Sequence, residues 1–214
     1  VYEKEGYFFL GWLYRSVGDD EWNLNYYTDE LRFPMELKAH ILSKNLFEGY
    51  GTADAPYLIQ NLDDLLTLAQ VVNNEYEYYN ANTVYYQLTA DIDLSSVCSE
   101  TEGNWTPIGE YGFLAQFDGD GHTISNLYYK DDSQDVGLFR YLEKTGSIRN
   151  LTVTGFVSAE SDFSGIVGYN YGGTVENCLD LTMTVPYGYT TDENGWMTFK
   201  SYDDSAVDVK AVYD

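Results

Sequence analysis

Gly121-His122-Thr123-Ile124-Ser125-Asn126-Leu127, Gly146-Ser147-Ile148-Arg149-Asn150-Leu151 and Gly173-Thr174-Val175-Glu176-Asn177-Cys178 are three versions of one phrase. Each runs glycine, one or two residues, a β-branched apolar residue, any residue, asparagine and an apolar residue. Aligned on asparagine, the steps are 24 residues (126 to 150) and 27 (150 to 177). A second phrase interleaves: Val136-Gly137-Leu138-Phe139 and Ser164-Gly165-Ile166-Val167-Gly168, 28 apart (137 to 165). Recurrence at about 20–50 residues marks a solenoid, propeller or array. Each unit holds short runs of β-type residues separated by Gly or Asn, with no helical stretch. That pattern fits a parallel β-helix whose coils stack at ~4.8 Å. The alignment predicts that Ile124, Ile148 and Val175 form one inward column. It places Asn126, Asn150 and Asn177 at one corner, each amide bonding the next. Cys178 takes the slot of Leu127 and Leu151, as a small buried hydrophobe.

The expected organisation runs outward from these repeats. Residues 61–73 read as a helix, with Leu62, Leu65, Leu66, Ala69 and Val72 forming an apolar stripe. Asn61 is its N-cap, Asp63 and Asp64 favour its N-terminal dipole, and Asn73-Asn74 ends it. An open coil end is a bare sheet edge, so this helix is expected to cap a solenoid over 61–185. Residues 47–60, with Gly49, Gly51 and Pro56, form a docked connection. Residues 1–46 hold three short β pieces, around Gly6 to Tyr14, Trp22 to Tyr27 and Pro34 to Ile41, with a turn at Val17-Gly18-Asp19-Asp20. Residues 186–214 do not read as another coil and form a tail or cap.

The chain has 214 residues, with 11 Lys plus Arg against 35 Asp plus Glu, a net charge of −24. Such a charge repels nucleic acid and anionic lipid. With 44% hydrophobic residues and 22 tyrosines there is ample material for a core. No apolar run approaches the ~18–20 residues of a membrane span, so no membrane insertion is expected. Val1-Tyr2-Glu3-Lys4-Glu5 offers no cationic or apolar leader, so no secretion signal is read there. Cys98 and Cys178 match no metal spacing; two unlinked thiols are expected, with a single Cys98–Cys178 bridge as the alternative.

Catalysis finds little support in the residues. His40 and His122 lie in no H-E-x-x-H, and neither G-x-x-x-x-G-K-[ST] nor G-x-S-x-G occurs. Asp118-Gly119-Asp120-Gly121 opens like a calcium loop, but Tyr129 stands where an EF-hand needs its terminal Glu, and a tight turn is expected instead. Asp91 and Asp93, with Asp118 or Asp120 nearby, are the carboxylates that a glycoside-cleaving reading would use. Arg140 and Arg149 would serve a lyase reading. Among 35 acids, chance pairs are expected. No catalytic residue, metal or cofactor is assigned. The tyrosines stand out more: Tyr76, Tyr78 and Tyr79 cluster, as do Tyr85-Tyr86 and Tyr128-Tyr129. One of each adjacent strand pair faces outward, where it can stack on a sugar or bury into a partner. Tyr85, Tyr86, Tyr128 and Tyr129 are the candidate ligand-binding residues, against the plainer reading that Tyr suits strands.

Two bacterial surface families resemble parts of the chain. Gly6-Tyr7-Phe8, Gly11-Trp12-Leu13-Tyr14 and Leu37-Lys38-Ala39 make residues 5–41 resemble the C-terminal part of a Listeria–Bacteroides (internalin-type) repeat, a small β-grasp-like module. The strand and helix that usually precede this signature are missing, which gives the chain the look of a fragment of a longer protein. Residues 49–185 resemble adhesin-type β-helix regions with the GLUG repeat. The match runs through Pro56-Tyr57-Leu58-Ile59, Leu88-Thr89-Ala90-Asp91-Ile92-Asp93-Leu94, Trp105-Thr106-Pro107-Ile108-Gly109 and Phe117 to Ile124. Arg140 departs from it, standing where the namesake glycine would fall.

The resemblance implies a mainly β fold: a truncated β-grasp-like module, then a short right-handed parallel β-helix with an N-terminal capping helix. It implies a non-enzymatic segment of a secreted or wall-attached bacterial protein, acting in adhesion or as a stalk. A glycan-binding module and a polysaccharide-acting enzyme are the alternatives. Expected partners are a host or bacterial surface protein or glycan, met outside the cell by a monomer.

Overall fold

In a parallel solenoid every inward residue stacks on its counterpart one coil away, so register decides the core. A computed structural model shows that register. It describes residues 7–16, 20, 23–25, 35–43, 45–74, 78–191, 196–200 and 206–210. Tyr76 and the expected turn at 17–19 lie outside the described residues. Contacts divide the chain into two units, Val1–Glu48 and Gly49–Asp214.

The first unit contains an antiparallel sheet of β1 (Tyr7–Ser16), β2 (Asn23–Asn25) and β3 (Met35–Ser43), in the order β2-β1-β3. The β1–β3 register shifts between Phe9 and Gly11, where a glycine best tolerates the irregularity. Arg15 and Glu36 are direct cross-strand partners and pair through their charges.

The second unit is a parallel β-solenoid of about five turns with one short helix. Its main sheet stacks β4 (Tyr57–Ile59), β5 (Tyr85–Leu88), β7 (Gln116–Asp118), β11 (Ser147–Arg149) and β15 (Thr174–Glu176). Its second stacks β6 (Ile92–Asp93), β8 (Thr123–Lys130), β12 (Thr152–Ala159) and β16 (Leu179–Pro186). Two short ladders close the coils: β9 (Gln134–Val136) on β13 (Ser161–Phe163), and β10 (Phe139–Leu142) on β14 (Val167–Asn170). The second phrase of the sequence lies here: Phe139 pairs with Val167.

The expected column of Ile124, Ile148 and Val175 does not form. Ile148 stacks on Phe117 and Val175, whereas Ile124 lies in the other sheet between Ile92 and Val153. The reason is a shared backbone need. Asn126, Asn150 and Asn177 have φ of 60°, 53° and 52°, a left-handed conformation that Asn tolerates better than most residues. Asn150 and Asn177 occupy a corner between sheets, but Asn126 lies inside β8, where the register slips between the Val153–Ile124 and Gly155–Leu127 pairs. Two different structural positions thus write the same Asn-apolar signature.

The asparagine ladder is therefore Asp118–Asn150–Asn177. The Asn177 amide donates to Asn150 Oδ1 at 2.7 Å, and Asn150 Nδ2 donates to Asp118 Oδ1 at 2.9 Å. Asn126 makes its own pair, donating to Asp93 Oδ1 at 2.8 Å. Cys178 does follow the corner as Leu151 does, but it lies in the last coil and is half-buried, whereas Leu151 is buried. Both cysteines are free, and burial pushes both thiols up. Asn150→Ala removes both ladder bonds and strains the left-handed corner. At about 1 kcal/mol for each bond and 1–2 for the backbone, a loss of roughly 3 kcal/mol is expected by denaturant titration. Asn150→Gly, which keeps the corner relaxed, should lose only the ladder share.

The interior is aromatic at its centre: Phe113, Phe117 and Phe139 are fully buried, and their rings meet at 4.9 and 5.4 Å. Buried Trp105 donates from Nε1 to Leu138 O at 3.0 Å. Helix α1 (Leu62–Asn73) packs beside β4 in the first turn. Asn61 accepts from Asp64 N, and Asp64 Oδ2 accepts from Gln60 N, so the two side chains lock its start. Its buried stripe is Leu65, Leu68, Ala69, Val71 and Val72; Leu62 and Leu66, expected in the stripe, are half-buried. Asn73 does more than end the helix. It donates to Pro107 O and accepts from Gly109 N and Glu110 N, tying the helix to the next coil.

The other end of the stack is exposed: Leu179, Leu181 and Met183 of β16 are 52%, 57% and 51% exposed. The inward column Ile92–Ile124–Val153 finishes on Asp180, whose carboxylate accepts from Gly165 N at 2.7 Å. Asp180 is exposed, and a carboxylate on an edge strand disfavours pairing with a further apolar strand. Beyond it, β17 (Tyr189–Thr191), β18 (Trp196–Lys200) and β19 (Ala206–Lys210) form an antiparallel sheet, so this segment is not a further coil.

Candidate functional site

Strand alternation places every second residue of the main sheet on its outer face. Stacking turns these into two outer columns: Tyr85–Gln116–Ser147–Thr174 and Gln87–Asp118–Arg149–Glu176. Tyr85, Gln87, Gln116, Asp118 and Arg149 of these columns, with the chain at Ala53, Asp54 and Pro56, line a groove of about 270 Å³. Part of this lining is fixed by its own hydrogen bonds. Gln116 donates to Thr145 O at 2.9 Å and accepts from Ser147 Oγ at 2.6 Å. Asp118 accepts from Asn150 Nδ2 and from Asp120 N at 2.9 Å, and its other oxygen accepts from Arg149 Nε at 3.0 Å. Partial burial pushes the Asp118 carboxyl up. The donors Asn150, Asp120 N–H and Arg149 outweigh it and hold the group below the ordinary carboxylate range.

That direction gives a pH dependence. A carboxyl depressed in the folded state stabilises above its unfolded value of about 3.9, and the contribution is lost as pH falls through the folded value. Asp93, bonded first by the Asn126 amide, and Asp91, bonded first by Thr123 N–H and then by His122, are depressed in the same direction. The melting temperature is therefore expected to fall steadily below about pH 4. Asp118→Asn should flatten that fall, read from melting curves between pH 7 and pH 2.

The four candidate tyrosines separate. Tyr85 is half-buried and lines the groove. Tyr86 points the opposite way, is 1% exposed, and donates from its hydroxyl to Tyr79 O at 2.7 Å. Its ring is core, burial holds its hydroxyl protonated well above the usual range, and its assignment to ligand binding is corrected. Tyr128 and Tyr129 are half-buried on the other sheet, with the Tyr128 ring stacked on Phe156 at 5.8 Å. Tyr79 is fully buried, while Tyr78 is exposed.

Among the charged candidates, Arg140 donates from Nη1 to both carboxylate oxygens of Glu110, at 3.0 and 2.8 Å, whereas Arg149 holds Asp118. Asp91 pairs with His122 Nδ1 at 3.1 Å. No cluster of three metal-binding side chains occurs among the described residues.

Two features escaped the sequence reading. The groove's amides, Gln87 and Gln116, carry no motif. A second aromatic group, Tyr141, Tyr169 and Tyr171, forms on the β10–β14 face with ring contacts at 5.8 and 4.8 Å. The i, i+2 spacing of Tyr169 and Tyr171 was its available signal.

Comparison with known proteins finds likeness over part of the chain. The chain is 34% identical over 144 residues to halomucin of Haloquadratum walsbyi, a match covering 62% of this chain and 2% of halomucin. It is 29% identical over 131 residues to a "Putative Gly-rich membrane protein" of Evansella cellulosilytica, covering 58% of this chain and 14% of that one. It thus spans a small part of the length of both relatives. A crystal structure of "a putative immunoglobulin A1 protease from Bacteroides ovatus" matches with a TM-score of 0.47 and 26% identity, over 68% of this chain and 43% of that chain. No family model matches. Neither the GLUG nor the Listeria–Bacteroides resemblance is shown by these comparisons. Among the described residues no helix is long and apolar enough to cross a membrane.

Proposed function

We propose that this chain is a non-enzymatic segment of an extracellular surface protein, serving as a stalk or adhesion element of the GLUG type beside an internalin-type module. The observation that supports the reading is the unbroken parallel ladder from β4 to β15, a continuous stack suited to a rigid spacer. The likeness to short stretches of halomucin and of a Gly-rich membrane protein supports a surface location. A non-catalytic role is supported by one of the carboxylates a glycoside-cleaving reading would use: Asp118, named there beside Asp91, Asp93 and Asp120, spends its oxygens on three protein donors. Its partner would be a surface protein or a glycan, met by a single copy of the chain. The net charge of −24 keeps such a segment solvated and separate from its copies.

Antibody raised against the chain tests the location. It is expected to label intact cells of the source organism. Labelling only after permeabilisation would overturn the reading.

A further inference from the structure

We propose that the groove over the main sheet binds a neutral saccharide, with Tyr85 as its stacking surface and Gln87, Arg149 and Asp54 as its hydrogen-bonding rim. This deepens the surface reading by giving the surface a partner class.

The floor of the groove is the middle of the sheet. β5, β7 and β11 each have a ladder partner on both sides, so their backbone groups are consumed and the floor is rigid. These three strands offer no free edge for an extended peptide to join. Two side chains are already immobilised: Gln116 by Thr145 O and Ser147, and Asp118 by Asn150, Asp120 N and Arg149. Ordering that is complete before binding does not have to be supplied by the ligand.

Other polar groups remain open to a ligand. Among the described residues, the Tyr85 hydroxyl, the Gln87 amide and the Asp54 carboxylate have no protein hydrogen-bond partner, and neither do the terminal nitrogens of Arg149. They offer both donors and acceptors, in planar groups suited to paired hydroxyls. An aromatic ring beside them supplies an apolar face with a polar tip. A ligand that uses all of these at once is dense in hydroxyls and has ring faces of its own.

Charge and size narrow the class. One guanidinium stands among two carboxylates, and the whole chain carries −24, so a polyanion would be repelled. The groove's ~270 Å³ falls just below the ~300–1,000 Å³ of sites that enclose a whole drug-sized ligand. It suits one sugar ring of a longer chain. A protein partner would want a deep apolar pocket for an anchor residue, and Ala53 and Pro56 do not make one.

The test is a titration of the isotope-labelled full chain with cellohexaose, mannohexaose and chitohexaose, each to millimolar concentration, followed by amide chemical shifts. At least one sugar is expected to give saturable shifts confined to residues 85–87, 116–118 and 147–149. Tyr85→Ala and Gln87→Ala should each weaken that binding about tenfold or more. Gln87 faces outward, so its variant should melt as the parent does and separates lost binding from lost folding. Tyr128→Ala should bind as the parent does. No saturable shift with any of the three sugars would overturn the proposal. So would shifts centred on Tyr128 and Tyr129 or on Tyr141, Tyr169 and Tyr171, or binding that survives both groove variants. Cell labelling is read separately: a dead groove on labelled cells removes the ligand and leaves the surface location. A working groove without labelling does the reverse.

Discussion

Leu65→Asp is expected to lower the melting temperature by roughly 10 °C or more and to drive the protein into aggregates. Leu65 is fully buried in α1, beside Leu68, Ala69, Val71 and Val72. A carboxylate there has no partner and costs several kcal/mol, against a whole stability of about 5–15 kcal/mol. In a chain of this size each kcal/mol moves the midpoint by about 2–4 °C. Displacing the helix would also bare β4, the edge strand of the main sheet, and bare edges pair with other chains. The pattern across the helix is as telling as the single variant. Leu68→Asp should match Leu65→Asp, while half-buried Leu62→Asp should be clearly milder. A soluble Leu65→Asp protein with an unchanged melting curve would show that the helix does not seal the first turn.

Gly155→Val should be nearly as damaging, for a backbone reason. Gly155 has φ of 148°, a conformation that side chains rarely adopt. A Cβ built there would lie 2.6 Å from the Leu127 nitrogen and closer still to its carbonyl. The cause is the extra residue in β8, which presses Leu127 against the next coil where the register slips. Neither backbone can yield without breaking the ladder, so a loss of more than ~4 kcal/mol is expected, in the range reserved for named lesions of this kind. Thermal and denaturant unfolding of the variant measure it. Gly121→Val provides the contrast: φ there is 81°, but nothing lies near its Cβ, so only backbone strain is added. Equal damage at the two sites would show that the close approach to Leu127 is not what constrains Gly155.

How far the sequence could be read follows from what kind of signal each feature writes. The helix was legible because its apolar spacing and Asn61 cap are local. Its rotation was not, because Leu65, Leu66 and Leu68 are equally apolar and only packing distinguishes them. The solenoid was legible from recurring Gly and Asn, since left-handed corners admit few other residues. The register was misread for the same reason. A corner at Asn150 and a bulge at Asn126 demand one backbone conformation and one residue type. The corner between Asp118 and Thr123 is also two residues longer than that between Arg149 and Thr152, which are its partners. Once corner lengths vary, counting from asparagine to asparagine no longer counts coils.

The groove depends on that register. Gln87, Asp118 and Arg149 share no local motif, and only stacking sets them in one column. Tyr85 was legible from its strand, and the same alternation that turns it outward buries Tyr86. Asn73 read as a helix stop because nothing local reveals its three bonds to 107–110.

The central claim is the stacking order, and backbone proton contacts measured by NMR on the labelled chain test it most directly. Cross-strand contacts between adjacent ladders are expected from Ile148 to Phe117 on one side and to Val175 on the other, with Ile124 contacting Ile92 and Val153. A backbone contact between Ile124 and Ile148, with none between Phe117 and Ile148, would contradict the register and with it the groove.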